Sequence, residues 1–184
     1  MRKITIRRYA WSELTPSLKE ELRRQVLLNF PKIKAFRTRF YYQIPPSFMF
    51  VARAGRKIVG QRYLTWRVRP IDGKRRRIAG IGISVHPDFQ GRGIGQELTR
   101  ACCAFVGRQR CDFVMATTGN PAARHVLSKF GFTVLRRPIT YRDRETGKLI
   151  RETDCVLVLD FAGGETIRDI EKQRKPLYVG KGAW

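Results

Sequence analysis

The sequence is short of acidic residues: 15 Asp and Glu stand against 38 Lys and Arg in 184 residues, which gives a formal net charge of +23. This excess is far above what solubility requires, and it produces a positive potential over much of the surface. Of the basic residues, 27 are Arg, which favours planar, bidentate recognition of phosphate or carboxylate over simple point-charge attraction. We therefore expect a polyanionic partner.

Long apolar runs and metal-binding motifs are also missing. No stretch approaches about 18 apolar residues, and no apolar segment follows the basic residues at the start of the sequence. We therefore expect neither a membrane protein nor a secreted one. The four cysteines include no CxxC pair, and neither histidine lies at metal-ligand spacing from them. We expect no metal site, and we expect reduced thiols in a cytoplasmic compartment.

The chain nevertheless has the composition of a folded protein. Apolar residues make up 42% and aromatic residues 11% of the sequence, which is enough to exclude disorder as the explanation of the charge. The length is that of about one domain. We place this domain at residues 1–161 and expect residues 162–184 to form a basic tail with a short helix.

Hydrophobic periodicity and turn residues predict an alternating order of elements. Strands are predicted at 3–9, 48–54, 57–68, 78–85, 112–118, 132–141 and 151–161, and helices at 16–30, 33–41, 94–107, 121–130 and 165–174. Thr15 and Asn120 are the expected N-caps, each followed by a proline at the first helical position. The order indicates an α/β (α+β) fold on a mostly antiparallel sheet with one parallel step in the middle.

The most informative segment is ISVHPDFQGRGIG at residues 83–95, a strand that runs into a glycine-rich turn and then into a helix. A helix N-terminus presents unpaired backbone N–H groups and the positive end of the dipole, so it is suited to bind a pyrophosphate. Gly91, Gly93 and Gly95 lack the Cβ atoms that would block the approach of a ligand, and Arg92 adds positive charge. The dinucleotide-binding fingerprint is not met, because GxGxxG and its acidic residue are missing.

This segment resembles the signature of the GCN5-related N-acetyltransferase (GNAT) family, Q/R-x-x-G-x-G/A. The matching residues are Gln90-Gly91-Arg92-Gly93-Ile94-Gly95, followed by Asn120-Pro121-Ala122-Ala123 and Lys129-Phe130-Gly131-Phe132. The resemblance extends over residues 3 to 160. It implies the GNAT fold, with a mixed central sheet of about seven strands and helices on both faces, and an acyl-CoA-dependent enzyme with acetyl-CoA as its donor.

The resemblance also implies which residues bind the donor. The pyrophosphate would lie on the amides of residues 90–95, and the pantetheine would pair like a strand with residues 83–85 where the fourth and fifth strands splay apart. Asn120 would lie near the pantetheine or the acceptor, and Val85 N–H would stabilise the oxyanion. The expected cofactor contacts are Ile83, Ser84, Val85, Gln90, Gly91, Arg92, Gly93, Ile94, Gly95, Asn120 and Arg124.

The sequence departs from the family at the catalytic positions. The tyrosine that protonates the leaving thiolate in many relatives is replaced by Leu127, and Ile81, Gly82 and Ile83 occupy the positions of the usual carboxylate base. A family assignment therefore does not supply a catalytic pair. Candidates for the missing acid are Ser84, Tyr141 and a cysteine such as Cys103, each of which also has an ordinary reading as a packed or hydrogen-bonded residue. With Asn120, Ser84 and Tyr141 form the predicted catalytic set.

Positive charge is concentrated where the family places its acceptor. No acidic residue lies between Glu21 and Asp72, whereas twelve basic residues do, and four more follow at residues 74–77. A surface formed by these basic residues would repel polycationic substrates. It would also lower the pKa of a bound amine and so raise the fraction of the amine that is neutral and nucleophilic. The expected nucleic-acid contacts are Arg37, Arg39, Arg62, Lys74, Arg75, Arg76 and Arg77. Tyr41 and Tyr42 are candidates for base stacking, although a core position is the stronger alternative.

Three hypotheses remain open. The first is an N-acetyltransferase that modifies an amine carried on a nucleic acid, either a DNA or RNA base or a charged tRNA. The second is an acyltransferase for a small-molecule amine or for a ribosomal or RNA-associated protein, or one that takes its acyl group from an acidic carrier protein. The third is a catalytically silent nucleic-acid-binding module, although the intact glycine-rich loop argues against it.

Overall fold

A computed structural model gives the fold and describes residues 3–183. The helices are α1 (Pro16–Asn29), α2 (Ile94–Gly107), α3 (Pro121–Ser128) and α4 (Glu165–Lys172). The strands are β1 (Ile4–Ala10), β2 (Phe48–Ala54), β3 (Lys57–Ile71), β4 (Lys74–Val85), β5 (Phe113–Thr118), β6 (Thr133–Val134), β7 (Ile139–Arg142), β8 (Leu149–Arg151), β9 (Cys155–Asp160) and β10 (Leu177–Lys181). Short 3-10 helices cover Trp11–Glu13, Lys34–Arg37 and Pro87–Phe89.

The main sheet has seven strands in the order β1-β2-β3-β4-β5-β9-β6. β1 pairs with β2, β2 with β3, β5 with β9 and β6 with β9 in antiparallel fashion. β4 and β5 are parallel, with Ile78 opposite Phe113. The predicted mixed sheet of about seven strands with a parallel step in its middle is therefore confirmed.

The chain divides into two compact units, and the boundaries between them fall within β3, β4 and α2. The first unit contains residues 3–65 and 82–104, and the second contains residues 66–81 and 105–183. Among residues 3–183, no helix is long and apolar enough to cross a lipid bilayer.

In the first unit, β3 is covered by a helix on each face, because successive side chains of a strand point to opposite sides. Gln61 donates to the backbone carbonyl of Leu22 in α1 at 2.9 Å. On the other face, a Cβ at Gly60 would lie 2.9 Å from Ile94 and 3.1 Å from Leu98 in α2, so only glycine allows this close approach. The predicted placement of helices on both faces is confirmed for this strand.

Helix α1 begins where its capping residues predict. The Thr15 hydroxyl accepts a hydrogen bond from Leu18 N–H at 3.2 Å, and Pro16 occupies the first helical position. The apolar face of α1 then packs into a core with β2. This core contains Leu14, Leu18, Leu22, Val26, Phe36, Phe40, Met49, Val51 and Ile58. The cap thus fixes the start of the helix that carries Gln25 and Asn29 towards β4.

Two predicted elements are wrong. The helix predicted over residues 33–41 is only a short 3-10 turn at Lys34–Arg37. Phe36 and Phe40, which gave this segment its helical spacing, are both buried, so the spacing reflects core packing of an irregular segment. The strand predicted over residues 132–141 is interrupted after Val134, and its two parts lie in different sheets as β6 and β7.

In the second unit, the segment predicted as a tail supplies a strand. β10 pairs in parallel with β7, which also pairs with β8 in a separate three-stranded sheet. Arg67 donates to the backbone carbonyls of Val179 and Gly182, and the guanidinium of Arg69 lies 4.9 Å from the ring centre of Tyr178. This strand was not predicted from the sequence, because it is short and follows a charged helix.

Candidate active site

The glycine-rich turn is held in a conformation that requires glycine. Gly91 and Gly93 have φ angles of +74° and +77°, in the left-handed region that side chains with a Cβ rarely adopt. A Cβ at either position would meet no described atom within 4 Å, so there is open space beside both residues. This is the space that a ligand approaching the backbone would need. The sequence analysis identified the glycines, and the structure adds that their backbone conformation also demands them.

Helix α2 begins at Ile94, directly after this turn. Its first N–H groups have no partner within the helix, and the dipole of a 14-residue helix adds partial positive charge at the same point. Glu97 is the acidic residue of the first turn, and its carboxylate is paired with Arg100. The turn and the helix start together provide amide donors and positive potential, which is the chemistry that a pyrophosphate requires.

Gln90 and Arg92 border this turn. The Gln90 amide donates to the backbone carbonyl of Val85 at 3.2 Å and to Asn29 Oδ1 at 3.1 Å. The Arg92 guanidinium lies 5.0 Å from the ring centre of Phe89 and is exposed. The Gln90 side chain thus ties the turn to the end of β4, while Arg92 remains at the surface beside the helix start.

Ser84 is buried in β4 and accepts two hydrogen bonds from α1. Gln25 Nε2 donates to its hydroxyl oxygen at 3.1 Å and Asn29 Nδ2 donates at 2.7 Å. Gln61 continues this network, because its amide donates to Gln25 Oε1 at 2.7 Å. Both lone pairs of the Ser84 oxygen are therefore engaged, and its own proton is directed away from these two donors.

The amide side chains that surround Ser84 were not predicted from the sequence. Gln25 and Asn29 lie on the buried side of α1, at helical spacing from Leu18 and Leu22, and a polar residue in an apolar helical stripe is the signal that would have pointed to them. Gln61, which follows Ile58, Val59 and Gly60 in β3, is a second buried amide of this kind.

The second unit contains Asn120 and Arg124, at the start of α3. Asn120 Oδ1 accepts from Ala122 N–H at 2.9 Å, which makes Asn120 the N-cap, as predicted. Both residues are exposed. Their roles in binding a cofactor or substrate remain predictions.

The positions of the usual catalytic groups carry apolar residues. Leu127 is 4% exposed, so the position of the expected tyrosine acid is part of the core. Gly82, at one position of the expected base, lies so close to Tyr63 that a Cβ would come within 2.3 Å of its hydroxyl oxygen. Burial raises the pKa of the Tyr63 hydroxyl and of the Cys103 thiol, which keeps both protonated at neutral pH. Tyr141 lies in β7, opposite Ile150.

The structure corrects the expectation that Arg62 contacts a nucleic acid. Its side chain is 2% exposed and lies on the α2 side of β3, where Nη2 donates to Thr99 Oγ1 at 2.8 Å. The burial of Arg62 could not be predicted from the sequence, because a single Arg in a strand can face either side. Arg62 therefore does not belong to the basic surface.

The run from Lys74 to Arg77, which precedes the strand predicted at 78–85, forms the start of β4. Arg76 is buried and forms ion pairs with Asp112 at 3.1 Å and Asp169 at 3.0 Å, and Lys74 pairs with Glu165 at 2.9 Å. The expectation that Arg76 contacts phosphates is wrong, because carboxylates already occupy its guanidinium.

The remaining members of the run have different surroundings. Arg77 donates to the carbonyl of Gln109 at 2.6 Å and lies 4.1 Å from the ring centre of Trp66. The Arg75 side chain is exposed and forms no hydrogen bond or ion pair with residues 3–183. The alternation of the strand thus divides the four cations between two faces, and Arg75 is the member best placed to meet a partner.

The segment around Arg37 and Arg39 remains at the surface in part. Arg37 is exposed, and the Arg39 guanidinium lies 5.7 Å from the ring centre of Tyr41. Tyr41 also meets Trp11 and Phe40 edge-on, at centroid distances of 5.7 and 5.5 Å. This packing favours a structural role for the Tyr41 ring over base stacking.

Comparison with known proteins decides the family. The sequence of residues 11–132, more than half of the chain, matches the acetyltransferase (GNAT) family. The chain belongs to this family. The predicted family and fold are therefore confirmed. No curated protein matches the chain by sequence.

Solved GNAT structures share the fold at low sequence identity. A GCN5-related N-acetyltransferase from Kribbella flavida is 15% identical with a TM-score of 0.54, over 72% of this chain and 33% of that one. The chain thus spans about a third of the length of that protein. YncA from Salmonella typhimurium, with its cofactor acetyl-CoA, is 16% identical with a TM-score of 0.54, over 94% and 97%. A GNAT family acetyltransferase from Brucella melitensis, in complex with acetyl-CoA, is 21% identical with a TM-score of 0.52, over 72% and 84%.

Proposed function

We propose that the chain is an acyl-CoA-dependent N-acyltransferase that uses acetyl-CoA. The observation that carries this proposal is the turn at Gly91 and Gly93, with its left-handed backbone and open space at the start of α2. Membership of the GNAT family and the acetyl-CoA bound to the Salmonella and Brucella proteins support it. The residues present fit the cofactor, because a pyrophosphate needs unpaired amide donors and a backbone without Cβ atoms.

The residues around the turn have separate tasks in this proposal. Acetyl-CoA supplies an acyl group activated as a thioester. The amides of residues 90–95 hold its pyrophosphate, and the backbone of residues 83–85 aligns its pantetheine, with Val85 N–H as the oxyanion donor. Asn120 and Arg124 are the further contacts that we assign in the second unit.

We assign the proton transfer to Ser84, with Tyr141 as the alternative. Gln25 and Asn29 hold the Ser84 oxygen with two N–H donors, and these donors stabilise negative charge on that oxygen. Ser84 would donate its proton to the thiolate that the acceptor amine displaces from the thioester carbonyl. The proton that the amine loses on forming the amide would then restore the serine hydroxyl.

We infer that the acceptor amine is carried on an anion, and that a nucleic acid fits best. The sequence has no acidic residue between Glu21 and Asp72, and Lys32, Lys34 and Arg37 within that stretch are exposed. These exposed cations are available to phosphates, whereas a polycationic substrate would be repelled. The four free thiols fit a reducing compartment such as the cytoplasm.

The missing acid and base favour one other candidate, a module that binds nucleic acid without catalysis. The buried Leu127 at the position of the family's tyrosine supports it. Small-molecule amines and RNA-associated proteins are the alternative acceptors for an active enzyme.

The deciding experiment measures release of free thiol from acetyl-CoA with plasmid DNA, total tRNA, ribosomes and a panel of small amines as acceptors. Binding of each polymer is measured in parallel at two salt concentrations. Thiol release with a nucleic acid, together with added mass on its nucleosides, supports the proposal. Release with ribosomes or small amines alone contradicts the nucleic-acid acceptor, and salt-sensitive binding without any release favours the silent module.

A further inference from the structure

Arg62 carries a buried positive charge without a carboxylate partner. Its side chain is 2% exposed, and its Nε atom is fully buried with no hydrogen-bond acceptor. The only hydrogen bond of the guanidinium within residues 3–183 joins Nη2 to Thr99 Oγ1 at 2.8 Å, and no carboxylate among those residues forms an ion pair with it.

This arrangement is costly for a folded protein. A guanidinium stays protonated in proteins, so burial does not remove the charge, and a buried charge without a partner destabilises the fold. Burial lowers the pKa of Arg62, in keeping with this cost. In the second unit, the charge of the buried Arg76 is neutralised by ion pairs with Asp112 and Asp169. Carboxylates thus neutralise one buried arginine of this chain, whereas none of the described residues forms an ion pair with Arg62.

The charge of Arg62 lies beneath the first turns of α2. Thr99, which accepts from Arg62, donates to the backbone carbonyl of Gly95 at 2.6 Å. Two hydrogen bonds therefore connect the guanidinium to Gly95, the second residue of α2. The Cys103 thiol and the Tyr63 hydroxyl interact electrostatically with Arg62, and because burial raises the pKa of both groups they carry no charge at neutral pH.

We propose that Arg62 is an electrostatic determinant of cofactor binding, whose unpaired charge is compensated when the pyrophosphate of acetyl-CoA or CoA binds to the amides of residues 90–95. This inference rests on the proposed function. The guanidinium does not touch the ligand. It acts through the low-dielectric interior of the first unit, where a charge interacts over longer distances than it does in water.

The proposal makes two predictions of opposite sign. Removing the charge with Arg62→Met weakens binding of CoA, and at the same time it relieves the CoA-free protein of an unpaired buried charge. If Arg62 had a purely structural role, its replacement would instead lower the melting temperature of the CoA-free protein.

The experiment compares Arg62→Met and Arg62→Lys with Arg56→Met, which removes the same charge from an exposed turn. CoA and dephospho-CoA, which both contain the pyrophosphate, are titrated calorimetrically at physiological salt, and thermal unfolding is recorded without ligand. For Arg62→Met we expect about a tenfold rise in Kd for both ligands, the order of the interaction between two unit charges about 12 Å apart at an effective dielectric constant of about 20. We also expect a Tm that is unchanged or raised by about 3 °C.

The control variants keep their affinity if charge is the cause. Arg62→Lys retains the charge, and Arg56→Met removes one that salt screens, so both should bind CoA within about threefold of the wild type. If Arg62→Met does not fold, Arg62→Gln replaces it, with the same tenfold loss expected.

Three results would overturn the inference. The first is a CoA affinity of Arg62→Met within twofold of the wild type. The second is a lowered Tm that accompanies the loss of affinity, and the third is an equal loss in Arg62→Lys. A wild-type protein that does not bind CoA would refute the proposed function, and the inference with it, whereas wild-type binding with an unaffected Arg62→Met refutes the inference alone.

Discussion

The proposed site for the acyl donor depends on single residues of the first unit. Gly91 and Gly93 adopt left-handed backbone conformations beside open space, and Ser84 accepts two amide hydrogen bonds from α1. The residue type is required in each case for a physical reason: the glycines lack a Cβ, and the serine hydroxyl carries a proton while its oxygen accepts two hydrogen bonds. Substitutions at these positions should therefore separate binding from chemistry.

Gly93→Val should abolish measurable binding of CoA while the fold is retained. A β-branched residue at a φ of +77° strains the turn by about 1–2 kcal/mol and places a side chain in the space that the pyrophosphate needs. Calorimetric titration of CoA and denaturant unfolding measure the two effects. Gly147→Val, at a φ of +70° with similar open space, is the matched control and should show the strain without the loss of binding. Unchanged CoA affinity in Gly93→Val would refute the assignment of the turn.

Ser84→Ala should lower kcat by about a hundredfold or more and leave the Kd for CoA nearly unchanged, because a general acid acts in the chemical step. The variant also leaves the Gln25 and Asn29 amides without their acceptor, which costs about 1–3 kcal/mol of stability. The measurements are kcat as a function of pH and urea unfolding. Ser84→Cys, which keeps a proton at this position, should recover part of kcat. A kcat equal to that of the wild type in Ser84→Ala would assign Ser84 to structure and leave Tyr141 as the candidate.

At the scale of elements, α1 and α2 place the site by covering opposite faces of β3. Helix α1 brings Gln25 and Asn29 to Ser84, and α2 begins at the glycine-rich turn. The sequence predicted both helices, because Thr15 with Pro16 and the apolar spacing of each helix are local signals. It failed for residues 33–41, where aromatic residues at helical spacing fill a core without forming a helix of more than one turn.

Thr15→Ala should destabilise α1 by about 1 kcal/mol, because Leu18 N–H loses its acceptor. Since α1 holds Ser84, we expect a small fall in kcat together with the fall in stability. Urea unfolding and thiol release measure them, with Thr15→Ser as the control that keeps the hydroxyl. A Thr15→Ala protein as stable as Thr15→Ser would show that packing alone fixes the helix start.

At the scale of the whole molecule, the net charge of +23 is unevenly available to a partner. Ion pairs occupy several cations, among them Arg76 with two aspartates and Lys74 with Glu165. Exposed cations such as Lys32, Lys34 and Arg37 are the ones that phosphates would meet. The distribution of charge, rather than its sum, should therefore decide how the chain binds a polyanion.

Replacing Lys32, Lys34 and Arg37 together by Ala should weaken binding of duplex DNA and reduce the slope of log K against log salt by up to about 3, because each phosphate contact contributes about 0.9. Fluorescence anisotropy at several salt concentrations measures the slope. Replacing Arg108, Lys129 and Lys148 by Ala removes the same charge from exposed positions of the second unit and should change the slope less. Equal changes in both variants would mean that net charge alone attracts DNA.

The sequence by itself determined the order of the main elements, the caps of α1 and α3, the glycine-rich turn, the family and the excess of positive charge. These depend on local spacing and on composition, which need no knowledge of distant contacts. Only the tertiary structure decided that Arg62 is buried, that the cations of residues 74–77 divide between two faces, and that Gln25, Asn29 and Gln61 surround Ser84. The reason is that a side chain's surroundings depend on which face of a strand it occupies and on partners far away in sequence, as in the hydrogen bond between Gln25 and Ser84, 59 residues apart.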